Sequence, residues 1–240
     1  MTDKIFKIYL DFDGTITRDD VGEAIFRRFT NNELANKIVE DLLTDKISAR
    51  ECWEELCNAS DFIDKNEFDE FILSQEVDPT LQSFIKYCDE KNLEVTVLSD
   101  GFDYYVDKIL TRENLGHLKV YCNQLNLTSD GKLMPSFPFY NESCRGSANC
   151  KRNHIIENSS EEEYTVFIGD GISDNEAIQY VDFIFAKSDL LRYCETQRIT
   201  YFPFKNFDDV ISRLEDLSSK KRLKKRHQAQ LKRREVYLAE

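Results

Sequence analysis

Residues 5–17 read IFKIYLDFDGTIT, an apolar, β-rich run at Ile5–Leu10 that breaks into two carboxylates and a glycine. Asp11 and Asp13 lie two apart on extended chain, so their side chains start from the same side. Two carboxylates that close repel unless a cation or a shared proton lies between them. Two more strand-like runs, Val95–Leu98 and Tyr164–Ile168, end in a similar way, in SDG at 99–101 and in GDGISDNE at 169–176. Four of the eight glycines (Gly14, Gly101, Gly169 and Gly171) sit in these stretches, where backbone N–H groups can approach an anion closely. Asp-Gly pairs are also ordinary turn residues, but three such segments at three strand ends point to a ligand site, because ligands of open α/β sheets bind beyond the carboxyl ends of the strands. With Asp170 and Asp174 added, the carboxylates make a hard, oxygen-rich site suited to Mg2+, which takes few protein carboxylates plus water and phosphate oxygens.

Around these segments strand-like and helical runs alternate, with a further strand at Phe183–Phe185, and the pattern predicts an α/β fold with a doubly wound parallel sheet. From Asp20 to about Gln75 no strand is legible. Val21, Ala24, Ile25 and Phe29 fit one helical face, and Leu34, Ile38, Val39 and Leu42 fit a second. Ser48 and Glu51 have the spacing of a capping box that opens a third helix bearing Cys52, Trp53 and Leu56; Phe68, Phe71 and Ile72 mark a fourth. Asp78-Pro79 reads as an N-cap and first helical position, and Asp130-Gly131 as a hairpin turn. The expected organisation is an α/β core at 1–16 and 78–217, a helical cap at 17–77, and a basic tail at 218–240, helical or frayed and solvated. Leu223, Leu231 and Leu238 are too thin a stripe for a docking face.

Length and composition agree with one core and a smaller satellite. The 240 residues are 41% hydrophobic and 12% aromatic, which excludes wholesale disorder. Charge is uneven: the net is −13, yet residues 218–240 carry nine Lys/Arg against two Glu, leaving −20 on the remainder. That acidic body argues against nonspecific binding of nucleic acid or an anionic membrane, and a phosphorylated substrate needs a local positive centre such as a metal. No apolar run reaches the roughly 18 residues of a membrane helix, and the first residues lack the pattern of a secretory signal. A cytoplasmic protein with its seven cysteines reduced is the expectation, and the four Asn-x-Ser/Thr triplets are then chance matches.

DFDGT, then Ser99, then Lys151, then GDGISD resemble the four ordered motifs of the haloacid dehalogenase superfamily, the aspartate-nucleophile phosphatases. The likeness spans residues 5–217 and implies a Rossmann-like core. The insert directly after the first motif resembles the phosphoserine-phosphatase-like branch with its small helical cap. Within that branch DFDGTITRDD, VTVLSDGFDYYV, VYCNQ and DLLRYCETQRITYFPFKNFDDV are most similar to the methionine-salvage phosphatases, which act on a phosphorylated 2-hydroxy-3-keto-5-methylthiopentene. The resemblance implies roles for each group. Asp11 is the nucleophile that forms an aspartyl-phosphate, and Asp13 the general acid and base. Asp11, the Asp13 backbone carbonyl and Asp170 hold Mg2+, and Asp174 orients the metal's waters. Ser99 and the Gly101 N–H hold phosphate oxygens, while Lys151 balances charge on the transferring group.

The chain also departs from these relatives. Ser173 stands where phosphoserine phosphatases carry asparagine. SARECWEELC shows no arginine where their cap helix meets the substrate carboxylate, although Asp20 stands near the position that meets the amine. Trp53 reads either as a cap core residue or as an apolar wall for the substrate. Of the cysteine cluster common before the lysine in the methionine-salvage branch, Cys144 and Cys150 remain. Two thiols are too few for zinc, and they read as reduced structural residues. Arg152 and Lys132 are alternatives to Lys151, and His154 reads as a packing residue. The expected function is a Mg2+-dependent phosphomonoesterase for a small phosphorylated metabolite. Phosphoserine hydrolysis, phosphotransfer with the same residues, and a non-enzymatic scaffold binding partners through the tail are the competing readings. Oligomeric state has no signature here.

Overall fold

The run expected as the first strand forms β1 (Phe6–Leu10), and all five of its residues are buried. A five-residue run buried on both faces belongs in the middle of a parallel sheet. The computed structural model, which describes residues 4–239, places it there. In chain order the elements are β1, α1 (Val21–Phe29), α2 (Asn32–Leu43), α3 (Ala49–Ala59), α4 (Lys65–Leu73), α5 (Leu81–Glu90), β2 (Glu94–Phe102), α6 (Asp103–Arg112), β3 (Lys119–Leu127), β4 (Leu133–Ser136), α7 (Lys151–Glu157), β5 (Tyr164–Gly169), β6 (Phe183–Ala186), α8 (Ser188–Thr196), β7 (Phe202–Pro203), α9 (Phe207–Ser219) and α10 (His227–Ala239), with short 3-10 turns at Ile172–Asp174 and Ala177–Tyr180. The strands form a seven-stranded sheet in the order β4-β3-β2-β1-β5-β6-β7. β1 pairs parallel with β2 (Ile8↔Val95) and with β5 (Ile8↔Val166), β5, β6 and β7 continue parallel, and β3 and β4 are antiparallel. The strand order turns back between β1 and β5, the kind of switch point where such sheets bind ligands.

The chain divides into two compact units: Met1–Asp11, Val77–Leu98 and Lys151–Glu240 form one, and Phe12–Glu76 with Ser99–Cys150 form the other. In the first, Phe84 of α5 stacks on Phe207 of α9 at 4.9 Å between ring centroids, and both are fully buried. In the second, Phe29 of α1 meets Phe68 and Phe71 of α4 edge-on at 5.4 and 5.6 Å. The second unit holds the four expected helices, and it also takes in α6 and the β3–β4 hairpin.

The capping box expected at Ser48 and Glu51 is present, and Asp20 adds a cap not singled out from the sequence. Asp20 caps α1 by accepting from Glu23 N, and Ser48 and Glu51 form the reciprocal capping box of α3. The hairpin turn is present, with Gly131 at φ 74°, where a side chain would also strike the Phe62 ring. At Asp78-Pro79 the helix begins later than the sequence suggests. Asp78 Oδ1 accepts from both the N–H and the hydroxyl of Thr80, so these residues form a turn and Thr80 is the residue before α5. The SDG segment also differs, since β2 runs on through Phe102 and includes Ser99, Asp100 and Gly101.

Two expectations are overturned. Cys144 and Cys150 are not separate thiols but a disulfide, with Cα atoms 6.0 Å apart and both residues buried. A turn at Cys144–Ser147 bends the intervening chain, and Cys150 N–H donates to the Phe139 carbonyl ahead of the turn that ends at Cys144, which brings the two together. The five other cysteines are free and buried.

The tail is helical in α10, but it is not a solvated segment. Arg233 is 9% exposed; it donates to Asp182, Thr165 Oγ1 and the Tyr180 carbonyl, and the Asp182 side chain is fully buried. Arg226 and Lys232 donate to the Ile178 carbonyl and Gln179 Oε1, and Tyr164 OH donates to the Leu223 carbonyl. The docking is polar, which is why a count of leucines missed it; the side chain of Leu238 lies outside the described residues. Arg233→Ala leaves the Asp182 carboxylate buried without its cation and should destabilise the fold by about 3 kcal/mol. Urea denaturation of the full chain measures this; an unchanged midpoint would mean that α10 adds nothing to stability. No helix among the described residues is long and apolar enough to cross a membrane.

Candidate active site

Asp11 follows β1 directly, and its N–H donates to the Ile168 carbonyl at 2.9 Å, which extends the β1–β5 ladder by one bond. Its side chain is almost fully buried, and so are the two groups it belongs with. Lys151, the first residue of α7, places Nζ 2.5 Å from Asp11 Oδ1, 2.6 Å from Asp174 Oδ1 and 3.2 Å from Ser173 Oγ. Burial by itself would push the Lys151 ammonium down, but the two carboxylates outweigh it and hold the lysine well above its ordinary value. Burial and the neighbouring Asp11 charge push the Asp174 carboxyl up, against the pull of Lys151 and the Gly171 N–H. Both Asp174 oxygens are engaged, Oδ1 by Lys151 and Oδ2 by Gly171 N at 3.2 Å. A Cβ at Gly169 would sit 2.3 Å from Asp174 Oδ2, so glycine is what admits this carboxylate. Asp170 is half-buried at the end of β5, and its carbonyl accepts from Leu190 N.

In the second unit Asp13 heads the tight turn Phe12–Thr17, closed by bonds from Thr15, Ile16 and Thr17 N–H to the Phe12 carbonyl. Gly14 takes φ 70° there, a backbone state that favours glycine. The Asp13 carboxylate accepts from Val21 N to Oδ1 at 3.1 Å, and from Tyr105 OH and Ser99 Oγ to Oδ2 at 2.8 and 3.3 Å. Ser99 is fully buried and accepts from Gly101 N at 3.0 Å. Burial and the Asp13 and Asp20 carboxylates hold the Tyr105 phenol well above its ordinary value, so it stays a donor.

Of the candidate residues, Asp11, Lys151 and Asp174 therefore meet in one buried cluster, and Asp13, Ser99 and Gly101 meet in another. Asp20 acts as the α1 cap. Trp53 is half-buried against Phe26 and Phe102, with its ring over Gly22 and Nε1 3.4 Å from Asp100 Oδ2. Among the basic alternatives, Arg152 pairs with Glu176, and Lys132 lies on the hairpin beside Asp130. His154 is buried in α7.

The sequence reading passed over three groups. One is Tyr105. Another is Asp100, whose carboxylate accepts from Ser147 Oγ and Asn149 N and whose carbonyl accepts from Asn123. The third is Asn149, fully buried, whose amide donates to the Ser99 and Tyr121 carbonyls. These bonds tie down the loop that leads into Lys151. Only the position of Asn149 two residues before the lysine hinted at this, and nothing local identifies a partner 50 residues away.

Among the described residues no group of three or more His, Cys, Asp or Glu is arranged to cage a metal. The donors that the family resemblance assigns to a cation are a few hard oxygens: the carboxylates of Asp11 and Asp170 and the Asp13 carbonyl. That set suits an ion such as Mg2+, which keeps water and phosphate oxygens in its shell, and is a poor match for a soft or fully enclosed one.

The pattern of the haloacid dehalogenase-like hydrolases matches residues 8–179. The chain is 30% identical to the 2-hydroxy-3-keto-5-methylthiopentenyl-1-phosphate phosphatase of Bacillus mycoides (strain KBAB4), over 88% of this chain and 96% of the relative. It is 28% identical to the enzyme of that name from Brevibacillus brevis, over 88% and 95%. Among solved structures, a phosphoserine phosphatase captured with a phospho-aspartyl intermediate analogue superposes with a TM-score of 0.67 at 20% identity, covering 90% of this chain and 99% of that one. A family hydrolase from Salmonella enterica serovar Typhi gives 0.72 at 14% identity, covering 90% and 73%. With its motifs in order, its sheet and its buried Asp11–Lys151–Asp174 cluster, the chain belongs to the haloacid dehalogenase-like hydrolase family and is a phosphatase.

Proposed function

We propose that this phosphatase is a Mg2+-dependent phosphomonoesterase that cleaves a small enol or alkyl phosphate of the methylthiopentenyl type through an aspartyl-phosphate on Asp11. The observation that carries the reading is the 30% likeness, along nearly the whole of both chains, to an enzyme named for that substrate.

In the first half-reaction an Asp11 oxygen attacks phosphorus, the ester P–O bond breaks, and Asp13 gives its proton to the departing oxygen. In the second, water attacks the aspartyl-phosphate, its proton passes to Asp13, and Asp11 is released with inorganic phosphate. Ser99 Oγ and Gly101 N–H hold phosphate oxygens, and the Lys151 ammonium offsets charge as it spreads over them. Asp11, Asp170 and the Asp13 carbonyl are the groups that would hold Mg2+, which lets an anionic carboxylate approach an anionic phosphate. Asp174, with both oxygens committed, acts on Lys151: it fixes the ammonium and keeps it charged.

Substrate choice follows from the cations. The helical segment has four arginines, and each is already engaged: Arg18 with Glu76, Arg27 with Glu23, Arg28 with Glu67 and Arg50 with Glu54. Arg50 also lies over the rings of Phe137 and Tyr140. A substrate carboxylate would have to displace one of these pairs or be buried unpaired, at a cost of at least a few kcal/mol. At saturating Mg2+, kcat/KM for a methylthio-bearing enol phosphate should exceed that for phosphoserine by more than about a hundredfold. A preference for phosphoserine would overturn the substrate assignment, and poor turnover of both would leave only the phosphatase chemistry standing.

A further inference from the structure

We propose that Tyr105 is a positioning residue for the Asp13 carboxyl group, holding it in place for proton transfer to the leaving group; this rests on the acid role given to Asp13 above. Tyr105 lies in the first turn of α6, directly after β2, and is fully buried against Phe12. Its hydroxyl donates to Asp13 Oδ2 at 2.8 Å, closer than either Val21 N at 3.1 Å or Ser99 Oγ at 3.3 Å. The weaker donor to the same oxygen, Ser99 Oγ at 3.3 Å, is the group assigned to the substrate phosphate. Once Ser99 turns to its ligand, the tyrosine still holds Oδ2, while Val21 N–H retains Oδ1. Two fixed donors, one on each oxygen, define the plane of the carboxyl group throughout the cycle, and neither depends on substrate.

Gly101 provides a second, independent sign that the contact is built. A Cβ there would fall 1.5 Å from the Tyr105 hydroxyl and 2.8 Å from Asp13 Oδ2. No side chain other than hydrogen fits at 101 while the phenol reaches Asp13. The glycine therefore serves the tyrosine as well as the phosphate.

Positioning a general acid matters in proportion to the proton the leaving group requires. An alkyl or enol oxygen leaves with difficulty unless protonated, whereas 2,4-dinitrophenolate leaves as the anion. The value of kcat/KM reports the first half-reaction only, before water attacks the aspartyl-phosphate. The experiment compares kcat/KM for an alkyl phosphate and for 2,4-dinitrophenyl phosphate, in wild type, Tyr105→Phe and Asp13→Asn. Tyr105→Phe removes one oxygen and keeps the ring. Its ratio of alkyl to dinitrophenyl kcat/KM should fall by about tenfold or more, in the direction Asp13→Asn takes further. Because the ratio is internal to one preparation, any inactive fraction cancels. An equal loss with both substrates, or no loss with either, would overturn the proposal and leave Tyr105 a packing residue. If Asp13→Asn itself leaves the ratio unchanged, the acid role of Asp13 fails, and this inference falls with it.

Discussion

Asp11→Asn is expected to yield a folded protein whose turnover has fallen by on the order of 10^4-fold or more. An amide is no nucleophile toward phosphorus, and Asp11 is the only carboxylate of the buried cluster assigned to attack, since Asp174 has both oxygens engaged. The exchange should spare the fold. Lys151 presently faces two carboxylates, so removing one charge leaves it matched one to one with Asp174 at 2.6 Å and removes the repulsion between Asp11 and Asp174. The melting temperature of the metal-free protein should therefore hold or rise. Steady-state phosphate release and a thermal melt on the same sample test both halves. Retention of a tenth of wild-type activity would rule out the covalent route.

Lys151→Met should be the second most damaging change, and it differs because it acts on stability as well. The lysine side chain is 1% exposed, and those of Asp11 and Asp174 are 6% and 0% exposed. Removing the ammonium leaves two like charges buried together, which costs about 3–5 kcal/mol for a broken buried pair. Activity should fall by roughly 10^3-fold or more, the scale of losing one electrostatic stabiliser of the transferring group. A second substitution separates the two effects. Lys151→Met with Asp174→Asn should recover much of the stability, because one of the stranded charges is gone, and none of the activity. Coupling between the two positions, read from urea midpoints of the four variants, should be at least about 1 kcal/mol. Additive losses would mean that the Lys151–Asp174 contact stores no energy of its own.

Local chemistry explains most of what could be read without coordinates. β1 is legible because its residues are apolar and β-rich, and the start of α3 is legible because Ser48 and Glu51, three residues apart, cap each other's N–H groups. Asp11, Asp13 and Asp170 announce themselves through carboxylates and glycines packed into a few positions. The same locality explains the failures. Asp78-Pro79 looks like a helix start until Thr80 turns back onto Asp78. The tail looks solvated because a hydrophobic stripe is sought there, whereas Arg233 docks by bonding to Asp182, 51 positions away. Cys144 and Cys150 pair because a turn at Cys144–Ser147 bends the chain between them and Cys150 N–H bonds back to the Phe139 carbonyl.

The sequence by itself determined the class of fold and the order of the motifs, and it supplied the residues proposed to carry the chemistry, since each depends on neighbours within a few positions. Only the tertiary structure decided how those residues are matched. It commits Asp174 to Lys151 across 23 residues, Asp100 to the loop ending at Asn149 across 49, and Tyr105 to Asp13 across 92. Such pairings follow from the crossing of strands and helices, and a buried polar group must find its partner wherever the chain has brought one.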